Sequence, residues 1–136
     1  MQPDDDNRSL LPGPSLPAAE MFTLIERLLS EEDWQIRAAM AKELGHRGDL
    51  GAVEPLCLAL TDKIWQVRIA AVGALGHLQD PRAVEQLCSA LEDTDWYIRM
   101  AATAALGQIR DVRAIEPLCV TLADTDALVR SSAAEA

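Results

Sequence analysis

From residue 18 onward, apolar and polar positions fall in blocks that suit helices rather than strands. Val53, Leu56, Cys57 and Leu60 keep the i, i+3, i+4, i+7 spacing of one helical face. A polar turn follows, Thr61-Asp62-Lys63-Ile64, and the helical spacing resumes at Val67, Ala71, Ala74 and Leu75. The pattern predicts two short helices joined by a turn. Asp33, Asp95 and Asp126 stand where the N-cap of the second helix falls, and there accept orphan backbone N–H groups. Ile64 interrupts that series, so Thr61 or Asp62 is expected to cap in its place. Pro55 and Pro117 fall in a first turn, where a missing N–H costs little. Gly45, Gly76 and Gly107, each after a leucine, are read as helix ends.

The whole unit recurs. Arg37, Arg68, Arg99 and Arg130 stand 31 residues apart, and Trp34, Trp65 and Trp96 share that interval. So do Cys57, Cys88 and Cys119; Leu44, Leu75 and Leu106; and Asp49, Asp80 and Asp111. A pair of short helices cannot bury its apolar faces alone, so stacked pairs must share a continuous core. The prediction is an all-α chain, an α-solenoid of about four helix pairs. Its units run over about 18–49, 50–80, 81–111 and 112–136, the last incomplete. Residues 1–17, with their prolines and three consecutive aspartates, read as a flexible acidic leader.

The two ends read differently. The first helix aligns Phe22, Ile25 and Leu29 with Val53, Leu56 and Leu60, and puts Glu26 where later units have cysteine. The cysteine side is therefore expected to face the preceding unit, with Glu26 as part of a terminal cap. At the other end Ala136 corresponds to Ala105, inside the last helix. That predicts either a fragment of a longer solenoid or an end that packs on another copy.

Composition narrows the function. Hydrophobic residues make up 49% of the chain but aromatics only 4%, which suits closely packed helices. Twelve basic against twenty-two acidic residues leave a net charge of −10, which opposes phosphate backbones and anionic membranes. The expectation is a cytoplasmic protein that engages neither nucleic acid nor membrane. No nucleophile–base motif or phosphate-cradling glycine loop stands in the sequence, so no enzyme and no cofactor are expected. The three cysteines, one per unit, are read as free thiols acting as small buried hydrophobes. His46 and His77 occupy equivalent positions, with Gln108 in the third unit. One repeat apart, their imidazoles are expected to lie too far from each other to share a metal ion.

Charge also repeats. Asp62, Asp93 and Asp124 precede Arg68, Arg99 and Arg130 by six residues, and Glu31 holds that place before Arg37. Carboxylates beside a row of guanidinium groups predict a charge-assisted ladder between neighbouring units.

The sequence Ala-Val-Glu-Pro-Leu-Cys-x-Ala-Leu, then Asp-x-x-x-x-Val-Arg-x-Ala-Ala-x-x-Ala-Leu-Gly, resembles the short HEAT-like repeat of the phycobilisome-lyase type. The resemblance runs from about residue 20 to the end and implies an α-solenoid whose second helices line a concave surface. It also implies several functions, since such repeats build bilin lyase subunits, iron-dependent hydroxylases and interaction scaffolds. The hydroxylases carry adjacent His-Glu pairs. Here Arg47 follows His46 and Leu78 follows His77, so that metal motif is absent.

On the helical wheel, Ile36, Met40, Glu43, Leu44 and Arg47 share the expected core face. Opposite them lie Trp34, Ala38 and Lys42, then Trp65, Ile69 and Gly73, then Trp96, Met100 and Ala104. Trp34, Trp65, Ile69, Trp96 and Met100, with Tyr97 and His77 around them, form a candidate partner-binding row. The leading reading is a non-catalytic scaffold that grips a protein partner. One alternative is a bilin lyase subunit handling a tetrapyrrole and a phycobiliprotein; another is a repeat module of a larger protein. End-to-end self-association through the last repeat is a further expectation.

Overall fold

The computed structural model describes residues 18–124 and 127–135. Among them eight α-helices form four successive pairs, an α-solenoid: α1 (Ala18–Ser30) with α2 (Trp34–Arg47), α3 (Val53–Ala59) with α4 (Trp65–Leu78), α5 (Val84–Ala90) with α6 (Trp96–Ile109), and α7 (Ile115–Thr121) with α8 (Ala127–Glu135). The first helices α3, α5 and α7 are each entered through a 3-10 turn, at Leu50–Ala52, Pro81–Ala83 and Val112–Ala114. Asp49, Asp80 and Asp111 cap these turns by accepting the N–H of Gly51, Arg82 and Arg113. The repeated aspartates thus mark where each unit begins. The leader at 1–17 and the cap expected at Asp126 lie outside the described residues.

The second helices form the spine, α2 against α4, α4 against α6 and α6 against α8, and each also packs on its own first helix. A helix with several neighbours has no single core face. In α4, Val67, Ala70, Ala71, Val72, Ala74, Leu75 and Gly76 are all buried. The same crowding corrects the wheel for α2, where Ala38 is buried with Ala41, Leu44 and Gly45, while Ile36 and Met40 are half-buried. Each fully buried leucine, such as Leu44, Leu56, Leu75 and Leu87, contributes roughly 1.5–3 kcal/mol of transfer free energy.

Gly45 and Gly76 do not end their helices. The helices run on to Arg47 and Leu78, and Gly48 and Gln79 supply the left-handed caps. The interior glycines instead let the spine close up. A Cβ on Gly45 would lie 2.7 Å from the Ala74 Cβ, and one on Gly76 would lie 2.6 Å from Gln108 Oε1 and 3.0 Å from the Ala105 Cβ. The third leucine-glycine pair behaves alike, since α6 continues past Gly107 to Ile109 and is capped at Arg110.

Asp33 and Asp95 cap α2 and α6 by accepting the N–H of Gln35 and Tyr97. At α4 the expected substitute does not operate. Ile64 itself occupies the N-cap, without a side-chain bond, and the Asp62 carboxylate accepts the Ile64 N–H one step outside the helix.

The terminal units depart from the inner ones. In α1, Met21 and Leu28 point inward, whereas Phe22 is 65% and Leu29 49% exposed, against the expected Phe22–Ile25–Leu29 face. Their equivalents Val53 and Leu60 have a neighbouring unit on each side, and among the described residues α1 has one on a single side. Ile115 and Leu122 are likewise exposed where Val84 and Leu91 are buried. The cysteines also face the other way from expectation. Cys57 feels the charges of Arg82 and Asp80, and Cys88 those of Arg113 and Asp111, so each thiol looks toward the following unit. Glu26 is exposed and caps nothing against them. Cys57 and Cys88 are half-buried and Cys119 is exposed, so the thiols are free but not core residues.

Candidate functional site

Two edges of the spine carry distinct chemistry. Along the first, Arg37 Nε and Nη2 donate to the Asp62 carboxylate at 2.8 and 3.0 Å, a bidentate fork between units. Arg68 reaches Asp93 at 3.0 and 3.3 Å, and Arg99 reaches Asp124 at 2.8 and 3.2 Å. The remaining nitrogen, Nη1, turns back onto its own unit's turn, where it donates to the main-chain oxygens of Glu31 and Glu32, of Asp62 and Lys63, and of Asp93 and Thr94. Each aspartate therefore serves twice: its carbonyl meets the arginine six residues on, and its carboxylate meets the arginine of the unit before. Burial alone would raise the Asp62 pKa, but hydrogen bonds from Arg37 and the Ile64 N–H outweigh it and hold the carboxyl below its ordinary range. The same Asp62 bond raises the Arg37 guanidinium. Arg130 donates to the Asp124 carbonyl at 2.7 Å, and its fork meets no carboxylate among the described residues.

A second, outer set of ties was not foreseen from sequence. Arg82 bonds Asp80 and reaches back to the Leu50 carbonyl at 2.9 Å; Arg113 bonds Asp111 and reaches the Pro81 carbonyl at 2.8 Å. The Asp-x-Arg spacing at 80–82 and 111–113 was the signal available.

The other edge is open. Trp65 is 42% and Tyr97 45% exposed. The Tyr97 ring stacks on its neighbour Trp96 at 3.8 Å between centroids, and across the junction on Trp65 at 6.1 Å with planes 16° apart. Three rings from two units thus merge into one patch. The rest of the expected row does not join it. Trp34 and Ile69 pack half-buried against the core, and Met100 is half-buried. His77 lies apart as well, on a groove of 390 Å³ lined with Lys42, Gly45, His46, Ile69, Ala70, Gly73 and Ala74. The row divides into an aromatic patch and a histidine groove.

The model of HEAT repeats matches this chain over residues 22–88 and 53–136. The chain belongs to the HEAT-repeat family. Among solved structures, an engineered protein matches it with a TM-score of 0.66 and 25% identity, over 85% of this chain and 60% of its own length. The HEAT-repeat chain therefore spans less than two thirds of that protein. No curated protein matches it.

In this HEAT-repeat chain the Cys57 and Cys88 thiols are poorly placed for nucleophilic chemistry. Burial pushes the Cys57 and Cys88 thiols up, away from the reactive thiolate. Cys88 and Cys119 line a large open groove between α5 and α7, together with Leu91, Glu116 and the Arg99–Asp124 pair. Among the described residues no three His, Cys, Asp or Glu side chains gather as a metal-holding group. No described helix is long and apolar enough to cross a membrane.

Proposed function

We propose that this HEAT-repeat chain is a non-catalytic scaffold that binds a protein partner along the open edge of its second helices. The observation that carries the reading is the patch in which Trp65 and Tyr97, two exposed rings from two units, stack together with the half-buried Trp96. Aromatic anchors on a preformed surface supply binding free energy with little ordering cost, and Trp and Tyr dominate interface hot spots. Trp34, Ile69 and Met100, half-buried, stand outside this patch and are not its anchors. The Arg–Asp ladder keeps the two contributing units in register. The chain works in the cytoplasm and performs no covalent step on its partner.

A pull-down from the source cell's lysate tests this. The chain and a Trp65→Ala, Trp96→Ala double variant of equal helicity are compared. Loss of specific proteins with the variant supports the reading, and an unchanged set shows that the indoles serve only as packing. Free bilin titrated into the chain, followed by its absorption and by Trp fluorescence, examines the lyase-type role; an unchanged spectrum disfavours it.

A further inference from the structure

The structure assigns to His46 and His77 a second site, a two-imidazole seat for a borderline divalent transition-metal ion such as Ni²⁺, Cu²⁺ or Zn²⁺. It stands independently of the partner-binding reading. The two rings lie with centroids 6.1 Å apart and planes tilted by 33°, across the α2–α4 junction. An ion held ~2.0–2.1 Å from one nitrogen of each ring places the centroids about 5–6.5 Å apart, for bond angles between tetrahedral and linear. The observed separation falls inside that window. The sequence-based expectation that the rings stand too far apart to share an ion fails here, and the spine explains why. Gly45 packs directly on Ala74, closer than any side chain would allow. His46 directly follows Gly45, and His77 lies about one helical turn beyond Ala74, so that contact draws the two rings together.

The surroundings leave room for an ion. The groove floor is Ala70, Gly73 and Ala74, side chains too short to fill it, and both histidines are exposed at its rim. Imidazole suits Ni²⁺, Cu²⁺ and Zn²⁺, and two rings on rigid helices leave the remaining positions to water or to an incoming donor. Lys42 lines the same groove but is exposed, and its long stem lets the ammonium move out into solvent. Glu43 is not drawn in, because it pairs with Arg47 at 2.7 Å.

The probe is Ni²⁺ alone, since Cu²⁺ oxidises thiols and Zn²⁺ prefers them. Ni²⁺ is titrated into the full chain, free of any added tag, and followed by calorimetry and by the imidazole proton signals. His46 and His77 are the only histidines, so two sets of signals report. The expected result is saturation at one equivalent, with both sets broadening in parallel. His46→Gln and His77→Gln should each lower the affinity about tenfold or more, as when a chelate loses one arm. Gln108 stands at the equivalent position of the third unit, so the spine accommodates that side chain. Signals that respond at different Ni²⁺ concentrations, no uptake, or variants that keep the affinity would each overturn the assignment. The signals of the unsubstituted chain decide even where a variant fails to fold.

Discussion

The two edges of the spine follow opposite rules. On the ladder edge, Arg37, Arg68 and Arg99 make the same set of hydrogen bonds at three successive junctions, forward to a carboxylate and back to a turn. On the open edge only the tryptophans Trp34, Trp65 and Trp96 recur, and the positions around them differ from unit to unit. Gln35, Gln66 and Tyr97 form one such series; Lys42, Gly73 and Ala104 another; His46, His77 and Gln108 a third. A junction must be built alike each time, because every unit stacks on the next by the same geometry. A surface that meets a particular ligand has no such constraint. Uniform ion pairing therefore marks what holds the solenoid together, and departures from uniformity around the recurring tryptophans mark where it acts.

The largest effect is expected where the uniform edge is cut. Arg99→Leu removes the fork on the Asp124 carboxylate and the bond to the Asp93 carbonyl, in a pair whose side chains are only 15% and 11% exposed. Removing one partner of such a pair costs about 3–5 kcal/mol. Arg130→Leu, whose fork meets no carboxylate among the described residues, should cost about 1 kcal/mol or less. Urea unfolding of both variants measures the difference. Equal losses would mean that the fork contributes little and that general packing carries the junction.

A smaller contrast separates two glycines of the spine. Gly45→Ala drives a methyl to 2.7 Å from the Ala74 Cβ and 2.8 Å from its Cα, so backbone must move, at about 1–3 kcal/mol. A Cβ on Gly73 meets nothing within 4 Å, and Gly73→Ala should gain about 0.5–1 kcal/mol from helix propensity. Thermal melting distinguishes the signs. A neutral Gly45→Ala would show that the helices can separate freely, and the closeness of His46 and His77 would then lack its cause.

How much of this was legible in the sequence follows from the same distinction. Whatever repeats could be read: the helix pairs and the set of charged residues at the junctions. What depends on three-dimensional crowding could not. The wheel gave α2 one core face, whereas a spine helix touches neighbours on several sides, so Ala38 went inward. Gly45 and Gly76 carry the residue type of a helix end, yet serve close approach, and only the neighbouring helix reveals that. The direction of the cysteines was misread because periodicity fixes a face without saying which neighbour covers it. The aromatic patch was drawn as a row of indoles along equivalent positions. Tyr97, which breaks the repeat, is the ring that joins Trp65 to Trp96.

Acid adds a contrast between charge and packing. The Asp62 pKa is depressed in the folded chain, so its contribution is present above its unfolded value of about 3.9 and is lost as pH falls through the lower folded value. The stability of the chain should therefore drop as pH falls below about 4 through this group. Asp62→Asn, already less stable at neutral pH, should show a shallower decline over the same window in thermal melts. An identical slope would place the acid sensitivity in other carboxylates, with Asp80 and Asp111, which are held low by Arg82 and Arg113, next in line.

A small stability effect is also expected at the open edge. Trp65 and Tyr97 face each other across a junction, yet each is more than two-fifths exposed. Trp65→Ala and Tyr97→Ala should each cost about 1 kcal/mol, and a double-mutant cycle should return a coupling of about 0.5–1 kcal/mol for the stacked pair. Partner retention in the pull-down should fall sharply in both variants, though neither is much destabilised. That dissociation is what the two-edge comparison requires, because a ring that serves recognition loses binding without loosening the spine. A cost near that of Arg99→Leu would place the aromatic patch with the ladder as a second structural tie between units, and the open edge would then reduce to the histidine groove.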